Sequence, residues 1–313
     1  MTDTGLVDVH AHFTTDPYIA AAKAAGHVRA DGMPEQHWPR WSAEEHLRLM
    51  DDLGIARSML SISSPGVHFG DDAAARDLAR SVNEAGAAVV ARHPDRFGLF
   101  ASLPLPDVAG ALDELRHAFD DLGADGVVLM SNSRGTYLGD DRTDPLLAEL
   151  DRRRGVAFLH PTSAPGHEHT DLGYPSPMIE FLFDTARAVL SYVLSGAAER
   201  YPNIRVVVPH GGGVLPLLAD RTEMFRALLG SGGDRTVTDQ LRGFWYELAG
   251  TPGALRTAAL DAVAAPDHLL YGSDYPWTPA GLAGDLLRAL DRVSEDGWRG
   301  RTTGNAEKLF GGR

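Results

Sequence analysis

The chain has no cysteine and only two lysines, Lys23 and Lys308, in 313 residues. Without cysteine, disulfides, thiolate nucleophiles and zinc-finger architecture are excluded together. No run of about 18 apolar residues is present to span a bilayer. The N-terminus lacks the basic and apolar pattern of a secretory signal, so a cytoplasmic location is expected. Positive charge is also scarce: 29 Lys and Arg against 43 Asp and Glu give a net charge of −14. That field disfavours nucleic acid and anionic membranes as partners. An anionic substrate has to be drawn in locally, by a metal ion or an arginine.

Apolar residues make up 43% of the chain, enough for a large core. There is no internal repeat, low-complexity tract or composition shift, so a single domain over 1–313 is expected. Apolar runs at 6–10, 57–62, 97–102, 126–130, 156–160, 204–209, 244–248 and 268–272 read as strands. Amphipathic stretches such as 42–54, 72–94 and 108–123 read as helices between them. Eight nearly continuous apolar strands with helical crossovers predict an α/β fold, a (β/α)8 TIM barrel. Two segments exceed the minimal unit. Residues 13–41, with Pro17, Gly32, Pro34 and Pro39, form a long insertion after strand 1, and 161–178 a Pro/Gly-rich loop after strand 5. Long βα loops border the active-site face of such a barrel, which makes both candidate substrate covers.

Chemistry-bearing side chains close several of these runs. His10 and His12 stand in LVDVHAHF, His160 in VAFLHP, His210 in IRVVVPHGGG and Asp274 in LLYGSDYPW. Residues i and i+2 of a strand share a face, so His10 and His12 aim together into the barrel mouth. His160 and Asp274, from the ends of strands 5 and 8, complete a metal site with one position left open. A divalent ion there lowers the pKa of bound water toward ~7, or polarises a carboxylate as a Lewis acid. Trp277 and Phe13 follow ligand strands and are candidates to stack on an aromatic ring. His167 and His169 in GHEH lie in an irregular loop and read as solvent or lid histidines.

The ordered set of HxH, the strand-5 histidine, HGGG and GSDYPW resembles the amidohydrolase superfamily. More narrowly, it resembles the branch containing the aminocarboxymuconate-semialdehyde, γ-resorcylate and 6-methylsalicylate decarboxylases. The resemblance covers essentially the whole chain, including SISSPG at strand 2 and DGVVLMSN followed by YLGD at strand 4. It implies that His10, His12, His160 and Asp274 ligate the metal and that His210 is an acid or base beside it. Superfamily members with two metals bridge them through a carboxylated strand-4 lysine. This strand 4 has none, which implies one divalent ion, Zn2+ foremost and Mn2+ the alternative.

Arg221, eleven residues after His210, matches an arginine that binds the substrate carboxylate from a neighbouring subunit. The resemblance therefore also implies a homodimer or higher homo-oligomer. Trp41 aligns with a substrate-side aromatic. A second substrate arginine of the family is replaced here by His46, which suits a monocarboxylate better than a dicarboxylate. The expected activity is metal-dependent, nonoxidative decarboxylation of a small aromatic acid of the 2-hydroxybenzoate kind, with Asp274 or His210 supplying the proton. Hydrolysis of a lactone or related ester-like bond, with the same ligands and Asp274 or His210 as general base, is the alternative.

Overall fold

A computed structural model describes residues 5–230, 234–250, 253–294 and 297–311. Eight strands follow one another in a single parallel sheet: β1 (Leu6–His12), β2 (Ile55–Ser61), β3 (Phe97–Ser102), β4 (Gly126–Met130), β5 (Val156–His160), β6 (Arg205–Val208), β7 (Trp245–Glu247) and β8 (Leu269–Leu270). Bridges from Asp8 to Tyr271 and from Ala11 to Tyr275 bring the last strand back to the first and close the barrel. Among the described residues the α-helices are α1 (Asp16–Ala24), α2 (Ala43–Leu53), α3 (Asp72–Arg92), α4 (Val108–Asp120), α5 (Asp144–Arg152), α6 (Glu180–Leu194), α7 (Ala197–Arg200), α8 (Leu215–Leu229), α9 (Val237–Leu241), α10 (Ala254–Asp261), α11 (Ala280–Val293) and α12 (Trp298–Phe310).

Local chemistry explains the boundaries. The Ser42 hydroxyl accepts the Glu45 amide to open α2, and Gly54 ends it in the left-handed region at φ 71°. The Asp71 carboxylate accepts the Ala74 amide to open α3. Inside the barrel, Val9, Met59, Phe100, Val128, Phe158 and Val207 pack as one apolar cluster. Ala306 and Leu309 of α12 join it. Asn305 also donates to the Leu269 and Pro266 carbonyls, so α12 plugs the N-terminal end of the barrel. Only the opposite end, where the strands finish, is left for chemistry.

Three expectations shift in detail. Strand β1 runs on to His12, two residues beyond the predicted 6–10. Strand β8 shortens to two residues because the chain from Tyr271 to Tyr275 leaves regular pairing and makes isolated bridges instead. The insertion at 13–41 is partly helical: Thr15 caps α1, and Pro17 sits in its first turn, where no backbone donor is required. Among the described residues, no helix is long and apolar enough to cross a membrane.

Candidate metal centre

Four side chains meet at the C-terminal mouth of the barrel. One donor atom from each of His10, His12, His160 and Asp274 lies within 4.8 Å of the others. The Nε2 atoms of His10 and His12 face each other at 3.0 Å. Asp274 Oδ1 stands 3.4 Å from the first and 3.2 Å from the second. Each imidazole is turned by its other nitrogen. His10 Nδ1 donates to Glu247 Oε1 (2.9 Å), and His160 Nδ1 to the Pro161 carbonyl (2.8 Å). His12 Nδ1 lies 3.0 Å from Ser61 Oγ and 3.3 Å from its carbonyl. With every Nδ1 serving as donor, the three Nε2 lone pairs converge beside a carboxylate. Lone pairs 3 Å apart repel unless a cation lies between them, so this donor set fits a metal ion.

The electrostatics express the same demand for positive charge. Burial disfavours protonation of His10, but the Glu247 and Asp274 charges outweigh it and push its pKa up to about 10. Burial would raise Asp274, yet His10 and its hydrogen bonds to the histidines hold it well below the usual carboxylate range. Burial, then the neighbouring imidazoles, drives His160 well below its ordinary value.

Glu247, at the end of β7, was not anticipated from the sequence. It is fully buried and accepts from His10 Nδ1, the His210 amide and the Ala249 amide (2.6 Å). Although burial opposes it, His10 and His210 hold its pKa down to about 2. Asp8 does comparable work beneath the site, accepting from Ser273 N (3.0 Å) and Ser273 Oγ (2.6 Å) and so fixing the turn that carries Asp274. A buried carboxylate in an otherwise apolar strand such as FWYELAG was the available signal.

A cavity of about 420 Å3 opens over the cluster, lined by His160, His210, Asp274, Trp277, Phe181 and Met178 among others. A larger cavity beside it, about 560 Å3, contains none of the four ligands, so the chemistry belongs to the smaller one. Both long loops reach the smaller cavity, the insertion through Ala30, Asp31 and Met33 and the later loop through Pro177 and Met178. Ser163 Oγ donates to Asp31 Oδ1 at 2.9 Å and ties the two together. His210 stands at the wall, its Nε2 3.6 Å from Asp274 Oδ2 and its Nδ1 buried without a hydrogen-bond partner.

The structure brings Trp277 to the cavity but not the other substrate-side residues. Phe13 is buried in the hydrophobic layer outside β1, 5.9 Å ring to ring from Trp41. Trp41 Nε1 donates to His46 Nδ1 (3.0 Å), and His46 is fully buried against Phe97 and Tyr275. Phe13 and His46 are buried core side chains and Trp41 is half-buried against them; Phe13 follows His12 by one residue, and alternation turns it to the other face. Arg221 lies exposed on α8 with its guanidinium over the Phe225 ring, outside the cavity of its own chain.

His46 carries a consequence for stability. Burial, then the His12 and Arg96 charges, push its pKa down to about 3 from the ordinary 6.5. Between those values the unfolded chain binds a proton that the folded chain refuses, so stability falls as pH drops below 6.5. The loss from this one group between pH 7 and pH 5 is about 2 kcal/mol. Urea melts at the two pH values should show a flatter acid dependence for His46→Phe than for the wild type; identical slopes would refute the assignment.

The comparisons agree with this geometry. The amidohydrolase family model matches residues 7–312. A decarboxylase of Aspergillus niger is 33% identical over 308 residues, covering 93% of this chain and 82% of that protein. A 6-methylsalicylic acid decarboxylase of Aspergillus aculeatus is 34% identical over 284 residues, covering 87% and 84%. A crystal structure of amidohydrolase II superposes with a TM-score of 0.92 at 32% identity, covering 98% of this chain and 99% of that one. Barrel, ligand order and family match converge: the chain belongs to the amidohydrolase family.

Proposed function

We propose that this chain is a metal-dependent, nonoxidative decarboxylase of a small aromatic acid bearing a hydroxyl ortho to its carboxyl group. The observation that carries the reading is the four-donor cluster at the floor of a cavity whose wall presents His210 and the ring of Trp277. The decarboxylase relatives at 33 and 34% identity support it. His10, His12, His160 and Asp274 would hold one ion. Strand β4 offers no lysine to bridge a second. A set of three imidazoles and one carboxylate suits Zn2+, with Mn2+ the alternative. When bound, the ion supplies Lewis acidity to the carboxylate and its ortho oxygen.

The protein's own groups do the rest. Loss of CO2 replaces a C–CO2− bond by C–H, so one proton must reach the ring carbon. His210 is the imidazole at the cavity wall that is not one of the four ligands, and it is placed to deliver that proton. Trp277 and Phe181 hold the ring in place and exclude water. The test is mass spectrometry of metal-loaded protein, with a chelated control, on 2-hydroxybenzoates and on aromatic lactones. Metal-dependent loss of CO2 from an acid is expected. Gain of water on a lactone with the acids untouched would make the enzyme a hydrolase.

We further infer that α8 packs against a second copy of the chain. Leu217, Arg221, Met224 and Leu228 fall on one helical face, and the three apolar members are 76%, 53% and 73% exposed. Large exposed apolar groups in register around an arginine fit a homodimer in which Arg221 reaches the neighbouring cavity. Leu217→Glu should convert a dimer to a monomer in sedimentation. Mixing inactive Arg221→Ala with inactive His12→Ala should restore partial turnover. A wild-type monomer, or no recovery on mixing, would refute the arrangement.

A further inference from the structure

Asp31, on the long insertion after β1, is a charged residue that the proposed chemistry does not use. It lines the cavity over the metal ligands and also the larger cavity beside it. Its carboxylate stands in the wall between the two. Ser163, which lines the larger cavity, donates to Oδ1 at 2.9 Å. Ser64, which lines the smaller one, also hydrogen-bonds to the carboxylate. The single Ser163 proton is committed to Asp31, so Ser176 Oγ, 3.1 Å from Ser163 Oγ, donates to Ser163 in turn. These two hydroxyls fill about half of the lone-pair sites of an ionised carboxylate. Acceptor capacity is left over.

The backbone here has its own explanation, and the charge does not share it. Asp31 has φ 48° and Gly32 φ 80°, a left-handed pair. A Cβ on Gly32 would lie 3.3 Å from Pro175 Cα, so the turn is seated closely against the later loop. Such a turn takes Asn-Gly as readily as Asp-Gly. Burial pushes the Asp31 pKa up, against the Ser64 and Ser163 hydroxyls and the His27 and His167 imidazoles. A carboxylate kept at that cost, in a chain of net charge −14, needs a group to serve. Away from the metal ligands the cavity wall is largely apolar, with Met33, Pro177, Met178, Phe181, Leu182 and Trp277. Among the described residues lining it, Asp31 is the one carboxylate besides the ligand Asp274.

We propose that Asp31 accepts a hydrogen bond from a second donor on the substrate ring, a hydroxyl or amino group away from the metal-binding edge, and so selects dihydroxy- or aminohydroxybenzoates. This rests on the decarboxylase reading of the site and deepens it. Two effects act together. Like charge turns the entering carboxylate away from Asp31 and toward the metal ligands. A donor on another edge of the ring then meets a charged acceptor, a stronger bond than a neutral pair makes. A methyl group at the same position leaves that acceptor facing hydrocarbon, which a site built for a donor rejects. The contact lies off the reacting carbon and is the same before and during CO2 loss. It is therefore felt in KM more than in kcat.

Calorimetry on metal-loaded protein tests this with pairs of 2-hydroxybenzoates that carry a hydroxyl or a methyl at the same ring position, para or meta to the carboxyl group. Metal content and melting temperature are recorded for every variant. The wild type should bind the hydroxyl member of at least one pair about 10- to 100-fold more tightly. Asp31→Asn keeps the left-handed turn and an acceptor for Ser163 but loses the charge, and should cut that preference about 10-fold. Asp31→Gly, also at ease at this φ, should abolish it. The methyl acids should bind no more weakly to either variant. Equal loss for both members of a pair would make Asp31 a structural tie between the loops and overturn the proposal. A wild type with no preference for the hydroxyl at either position would overturn it too, as would a preference that survives in Asp31→Gly. If the wild type selects the hydroxyl acid through Asp31 but releases CO2 from none of the acids, the decarboxylase reading fails and the donor site stands.

Discussion

Replacing His12 by alanine should strip the metal from the protein and abolish turnover. His12 Nε2 lies within the donor set, 3.0 Å from His10 Nε2 and 3.2 Å from Asp274 Oδ1. Without it, only His10, His160 and Asp274 remain as donors. Ser61→Ala, which removes only the hydroxyl that orients His12, should act more mildly. Losing such a supporting hydrogen bond costs about 10- to 100-fold in metal affinity, and here the Ser61 carbonyl remains at 3.3 Å to hold the ring. Elemental analysis after dialysis against a weak chelator separates the two. Wild-type protein should keep about one ion per chain, His12→Ala none, and Ser61→Ala an intermediate share. Full metal content in His12→Ala would mean that the donors converge for another reason, and the ligand assignment would be withdrawn.

The parts of this site that could be read from sequence share one property: they lie at strand ends. A run such as VAFLH fixes its own direction and burial, so its terminal histidine has one place to go in a parallel barrel. His10, His12, His160 and Asp274 were legible for that reason. Glu247 was passed over although it also ends a strand, because its role depends on β1 and β6 bringing the His10 ring and the His210 amide onto it. FWYELAG offers only a carboxylate in an apolar run and does not say what that carboxylate meets. Phe13, Trp41 and His46 lie away from the cavity lining. Phe13 was singled out for following a ligand strand, but alternation along β1 sends His12 and Phe13 to different sides of the sheet; Trp41 and His46 rested on the resemblance alone, and they pack against each other. The insertion was legible as a long segment, but not its helix α1, which Pro17 opens in the first turn.

Replacing His210 by asparagine should leave the metal in place and lower kcat by about 10²- to 10⁴-fold, the usual worth of a positioned proton carrier. Asparagine is the informative choice because His210 sits at φ 54°, a left-handed conformation that asparagine tolerates better than most residues. The backbone amide can then still donate to Glu247, which preserves the β6–β7 junction. Asparagine also keeps a polar group near Asp274 while removing the ability to carry a proton at neutral pH. The effect should therefore differ in kind from that of His12→Ala: metal content and melting temperature unchanged, acid binding nearly so, and the chemical step slowed. Solvent deuterium gives a second readout, since wild-type product should carry one deuterium at the former carboxyl carbon. If His210→Asn retains the metal and turns over within about threefold of wild type, a loss far smaller than removing such a proton carrier brings, His210 is not the proton carrier. The proton then comes from Asp274, the other group on this face of the cavity, and its route no longer passes through the His210 ring.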